Sequence, residues 1–187
     1  MRLAGLAGLV AAVMAAASPA RAESFISPFI GFNFGGDSAN CASLQNCGDR
    51  RTNLGVSVGA RHGLFGVEAD LGYAPDFFGR TRGADNGVLT VMTSLMVVIP
   101  AGPIHPYGLI GVGLIRPHMQ LDTASLAPGK NAIGYDIGGG VNLYLIHSLG
   151  IRGDVRRMRT LNGVSLGLLA NEKLEFWRGS AGVTFRF

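Results

Sequence analysis

The strongest constraint on this chain is a period of two. Eight runs alternate, residue by residue, between apolar side chains and a second series of glycines, hydroxyls and charges. That is the period of a β-strand whose two faces meet different surroundings. The runs are Phe25–Gly35, Asn53–Arg61, Leu64–Tyr73, Gly87–Ile99, Ile104–Arg116, Asn131–Leu145, Leu149–Arg159 and Glu175–Phe187. In the third, Phe65, Val67, Ala69, Leu71 and Tyr73 oppose Gly66, Glu68, Asp70 and Gly72. In the last, Trp177, Gly179, Ala181, Val183, Phe185 and Phe187 oppose Arg178, Ser180, Gly182, Thr184 and Arg186.

The connections alternate as well. Those after the second, fourth and sixth runs are short ("HG", "PAGP", "IHS"), and those after the first, third, fifth and seventh are long and polar. A meander in water has no reason to segregate them, whereas an up-and-down barrel in an outer membrane has short periplasmic turns and long outer loops. Alternation by itself fits either an apolar interior or an apolar exterior. Three features favour the exterior. The non-apolar face is crowded with glycine, which suits a tight interior. Aromatic residues (Trp177, Tyr73, Tyr135, Phe187) stand at run ends on the apolar face, as at a membrane interface. Eight strands can close and leave no edge. The expected fold is all-β, an eight-stranded antiparallel up-and-down transmembrane β-barrel.

The first 22 residues read as a signal peptide. Met1-Arg2 is a basic start, Leu3 to Ala17 a small and apolar run, and Ala20-Arg21-Ala22 an A-x-A cleavage site before Glu23. The apolar run is too short for a membrane-spanning helix. The barrel domain is expected over residues 24–187. Taking Arg2 and Arg21 from the 16 basic residues leaves 14 against 12 acidic ones, a formal charge of +2. With no basic stripe, nucleic acid is not a partner. Cys41 and Cys47, in "NCASLQNC", read as a disulfide closing a small outer loop of an exported protein. A metal site would need further ligands, and neither a histidine nor a second cysteine pair is near.

The segments "SPFIGFNFGGDS", "FGVEADLGYAPDFFG" and "FWRGSAGVTFRF" resemble the bacterial outer membrane protein beta-barrel domain family, the small eight-stranded class related to the membrane part of outer membrane protein A. The resemblance covers nearly all of residues 24–187. It implies an outer-membrane location and an assembly signal, read by the barrel assembly machinery, at Ala181, Val183, Phe185 and Phe187. It says little about function.

The search for chemistry yields little. His62, His105 and His147 fall at or beside separate short turns, and no metal-binding histidine spacing occurs. "GLIGVG" lies in an apolar alternating run with no helix after it, so it is barrel packing. His147 and Ser148 are adjacent, and adjacent residues point apart, so they do not form a nucleophile–base pair. No cofactor is expected. Phe77 and Phe78 are read as part of the outer aromatic girdle, or else as loop aromatics offered to a partner.

What remains is the interior. The face assignment sends Glu68, Asp70, Asp136 and Asp154 inward, with Arg61, Arg152, Arg156, Arg178 and Arg186. Buried charges must pair. Strands three and seven lie opposite one another, so Arg152 or Arg156 is expected to reach across to Glu68 or Asp70, with Asp136 and Arg178 completing the network. The expectation is a monomeric, non-enzymatic outer-membrane protein with a plugged, charge-paired lumen. Its partners would be outer-membrane lipid and an extracellular ligand at the loops, in a structural or adhesive role. The alternatives are a narrow pore for small molecules and an outer-membrane lipid-modifying enzyme.

Overall fold

The computed structural model describes residues 22–36, 50–77, 84–121, 131–161, 164–166 and 169–187. The strands are β1 (Glu23–Phe34), β2 (Arg50–His62), β3 (Phe65–Pro75), β4 (Ala84–Val98), β5 (Ile104–Leu121), β6 (Ala132–Ile146), β7 (Leu149–Thr160), β8 (Val164–Leu166), β9 (Leu169–Glu172) and β10 (Glu175–Arg186). Eight of them close into an antiparallel barrel in which β1 to β7 pair in chain order, β10 pairs with β7 and returns to β1, and β8 and β9 stand apart as a two-stranded sheet. Among the described residues there is no helix.

Closure is made by the chain ends. Ser24 and Phe187 exchange both backbone hydrogen bonds at 3.0 Å. From there β1 runs in register with β10 as far as Phe34 opposite Trp177. No strand of the barrel keeps an unpaired edge, which a lipid environment would not tolerate. The turns at one end are tight. Gly63 and Gly102 adopt φ of +60° and +64° there, a region that favours glycine.

The two faces of each strand meet opposite environments. Outside stand large apolar side chains such as Ile30, Leu95, Ile110, Val112 and Ile151. Inside are Ser27, Asn33, Ser57, Glu68, Asp70, Asp136, Arg152, Arg156 and Arg178, all buried. A soluble protein buries apolar groups and solvates charges, so this inversion fits a hydrocarbon surround. Inward glycines make the room. A Cβ on Gly55 or Gly59 would collide with the rings of Phe29 and Phe25, and one on Gly111 would collide with Ser94 and Asp136.

The structure differs from the sequence reading in three places. Several strands run further toward the long-connection end than the alternation reached: β5 continues to Leu121, and β4 begins at Ala84. The connection after β7 carries a small hairpin, β8–β9, where only a loop was expected. Phe77 belongs to neither a girdle nor an exposed loop. It is fully buried in the lumen, its ring edge-on to Phe176 at 4.9 Å. An aromatic ring just past a strand end can fold over the barrel mouth, and alternation does not encode that choice. Phe78 lies outside the described residues, as do residues 1–21, Cys41 and Cys47.

Candidate functional site

The lumen holds the one dense group of charges among the described residues. Strand period sets it up: Glu68 and Asp70 are two apart on β3, Arg152, Asp154 and Arg156 are alternate residues on β7, and Asp136 and Arg178 flank β7 on β6 and β10. All seven point inward and are 7% exposed or less.

Arg156 is the hub. Its Nη2 donates to Glu68 at 2.7 Å and to Asp154 at 2.9 Å. Its Nη1 lies 3.5 Å from Asp136 and 3.7 Å from Asp70. Arg152 donates to the second oxygen of Glu68 at 2.6 Å, so one carboxylate holds two guanidinium groups. Arg178 takes Asp70 in a two-bond fork at 2.8 and 3.0 Å. Hydroxyls occupy other lone pairs of the carboxylates: Ser57 donates to Asp70 at 2.8 Å, Ser180 to Asp154 at 2.7 Å, and Ser94 to Asp136 at 3.3 Å. Tyr107 links the two sides, accepting from Arg152 at 2.7 Å and donating to Asp154 at 3.0 Å. Three arginines thus face four carboxylates within one connected network.

Rings pack over the cations. Arg178 lies 4.7 Å from the centroid of Phe29, and Arg152 lies 4.7 Å from that of Tyr107 and 5.7 Å from that of Phe25. Cation–π contacts of this kind strengthen when water is excluded. Toward the long connections, Phe77, Phe176, Met92, Met158, Ile115 and Val88 form a fully buried apolar cap. Toward the short turns stands a second apolar layer of Phe25, Met96, Val98, Tyr107 and Leu109. Beyond it is a basic mouth. Arg61 pairs with Glu23 and donates to His105, and Arg186 reaches Glu23 and stacks on Tyr144 at 4.3 Å.

Two internal cavities of about 10 Å³ each, one beside Arg178 and one at the basic mouth, offer about the space of a single water. Chemically the ion pairs of the lumen cross-link strands of the wall from the inside. His147 and Ser148 sit in a two-residue turn, where the His147 ring nitrogen faces Arg186 at 3.3 Å. Among the described residues no group of three metal-ligating side chains converges.

The sequence reading missed Tyr107, Phe25, Phe29 and Glu23. The first three are aromatics on the inward face, where an apolar-versus-polar count assigns them outward. Glu23 adjoins the expected cleavage site and was left out of the first run. Of the residues read as an assembly signal, Ala181, Val183 and Phe185 lie on β10 and are directed outward, and Phe187 follows the strand, exposed at the seam.

The sequence profile of the outer membrane protein beta-barrel domain matches residues 7–187. No curated protein sequence matches the chain. Among solved structures, neisserial surface protein A superposes with a TM-score of 0.67 at 15% identity, covering 90% of this chain and all of that one. Ail, the attachment invasion locus protein of Yersinia pestis, gives 0.58 at 12% identity, over 89% and 98%. OprG from Pseudomonas aeruginosa gives 0.56 at 16% identity, over 90% and 96%. At these identities the likeness is one of fold.

Proposed function

Because the chain belongs to the outer membrane protein beta-barrel domain family, we propose that it acts as a non-enzymatic, non-conducting barrel of the bacterial outer membrane, a rigid stem that presents its long connections to an extracellular ligand. The observation that carries this reading is the hub of Arg156, a buried cation within 3.7 Å of four carboxylates on two other strands and its own. A lumen spent on such a network is stiff and closed, and a stiff stem suits recognition by loops. In this reading residues 1–22 are removed on export, Cys41 and Cys47 are bonded to one another, and the barrel inserts as a monomer through the barrel assembly machinery.

Loop recognition draws support from one relative: Ail has been crystallised with the heparin analogue sucrose octasulfate. The connections of the present chain carry nearly balanced charge. Arg80, Arg82, Lys130 and Lys173 are offset by Asp37, Asp49, Asp76, Asp122 and Glu172. A polyanion would gain little there, so the favoured ligand is a neutral or mixed-charge surface.

The test has two parts. Liposomes carrying the folded protein should not swell in small sugars, and swelling would favour the pore reading. Cells displaying the protein should bind host-matrix or glycan surfaces more than cells displaying a variant with residues 37–49 and 122–130 replaced by short turns. Equal binding would remove the loop role. Loss of an acyl chain from lipid A on overexpression would overturn the non-enzymatic reading.

A further inference from the structure

The outer wall of the barrel is hollowed on one side. A groove of about 740 Å³ crosses β1, β10, β7 and β6, floored by Gly153, Gly139 and Gly179 and flanked by Ile30, Phe32 and Val155. Four adjacent strands span about 14 Å. The packing requires glycine over part of this floor only: a Cβ on Gly139 would meet the Tyr107 carbonyl oxygen at 2.8 Å and one on Gly179 the Phe32 ring at 3.2 Å, whereas Gly153 is under no such constraint. A Cβ on Gly153 would approach no atom closer than 4.0 Å, the Ser180 carbonyl oxygen, whereas Cβ atoms on inward glycines such as Gly55 and Gly111 would collide. Elsewhere this face carries Ile137, Ile151, Val183 and Phe185.

Charge stands at the rim. On β7 the same outward face continues past Val155 to Arg157 and Arg159, about 7 and 13 Å further toward the long-connection end. They sit in a lipid-facing frame: Arg157 is paired in register with Trp177 and Ile137, and Arg159 with Glu175 and Tyr135. Arg157 lies 6.0 Å from the Trp177 ring centroid. Both side chains are about 40% exposed and share Glu175, with Lys173 exposed beside it. Two guanidinium groups sharing one carboxylate leave positive charge at the depth where Trp and Tyr mark the membrane interface. Guanidinium groups match phosphate oxygens in a fork. A second copy in the same membrane would bring its own arginines to the same depth, like charge against like.

We propose that this face holds one phosphorylated lipid of the outer leaflet, its phosphate on Arg157 and Arg159 and an acyl chain in the groove. The site goes beyond the loop-binding role and depends only on the orientation with long connections outside. Trp177, the single tryptophan of the chain, reports on it directly. The folded protein is placed in bilayers containing brominated phosphatidic acid, a phosphomonoester lipid, or brominated phosphatidylcholine at equal mole fraction. Quenching of Trp177 should saturate at lower mole fraction with the phosphomonoester. The double variant Arg157→Gln/Arg159→Gln should lose roughly tenfold of that preference, the size of one charged hydrogen bond. Gly153→Leu, which fills the groove and leaves the arginines, should weaken it too. Heat-modifiable migration on gels checks that both variants fold, and if either does not, the unmutated comparison decides. Equal quenching by the two lipids overturns the proposal, as does shielding of Trp177 from both by a second copy. Abolition of the preference by millimolar inorganic phosphate would mean a free-phosphate site and equally overturn it.

Discussion

Arg178 and Asp70 stand 108 residues apart in sequence and form a two-bond fork of 2.8 and 3.0 Å across the lumen, each almost fully buried. The pair joins the last strand of the barrel to the third. Its value lies in what happens when it is broken. A buried guanidinium without its carboxylate costs about 3–5 kcal/mol, while replacing both partners by apolar groups of similar size is often close to neutral. Asp70→Ala should therefore lower stability by about that amount in urea unfolding from detergent micelles, and Asp70→Leu with Arg178→Met should recover most of the loss. Equal loss in the two would mean the lumen around the pair is wet.

Gly111 and Gly108 of β5 stand on opposite faces of the wall, and substitution should separate them. A Cβ on Gly111 meets Ser94, Asp136 and the Thr93 backbone, whereas one on Gly108, which faces outward, meets only a carbonyl at 3.9 Å. Gly111→Val should yield little folded barrel. Gly108→Val should fold normally and gain slightly from the better strand propensity. The folded fraction in a heat-modifiability assay reads both.

The apolar cap is a separate layer from the charges. Phe176→Ala removes the partner of Phe77 and should cost about 3–5 kcal/mol, as deletion of a buried aromatic ring does. Ion flow should not increase, because the network around Arg156 stays intact beneath the cap. A conducting Phe176→Ala variant would move the seal from the ion pairs to the cap.

At the seam, deleting Phe187 removes two backbone hydrogen bonds to Ser24. Assembly by the purified barrel assembly machinery should slow markedly, while barrels that do form should melt only slightly lower. Normal insertion rates would show that the terminal residue carries no assembly signal.

How far the sequence foretold this structure depends on the kind of residue. Glu68, Asp70, Arg152 and Arg156 alternate with Val67, Ala69, Leu71, Ile151, Gly153 and Val155, so a period-two reading assigns each a face, and strand count then brings β3 opposite β7. Phe25, Phe29 and Tyr107 defeat that reading because an aromatic ring is acceptable on either face. Only the space left by Gly55 and Gly59 on the neighbouring strand sends Phe29 and Phe25 inward, and that space depends on register across strands. The cap formed by Phe77 and Phe176 joins a residue just past the end of β3 to one at the start of β10, whose approach is set by closure of the barrel. The hairpin β8–β9 is too short and too mixed in character to show a period. The outward arginines Arg157 and Arg159 break the alternation of β7, and alternation has no means of explaining them.

Closure of the lumen is tested most directly by single-channel recording. The folded, unmutated protein reconstituted in planar lipid bilayers at neutral pH should give no steady open level. Long-lived, uniform channels of the unmutated barrel would contradict the plug formed around Arg156 and the structural role built on it.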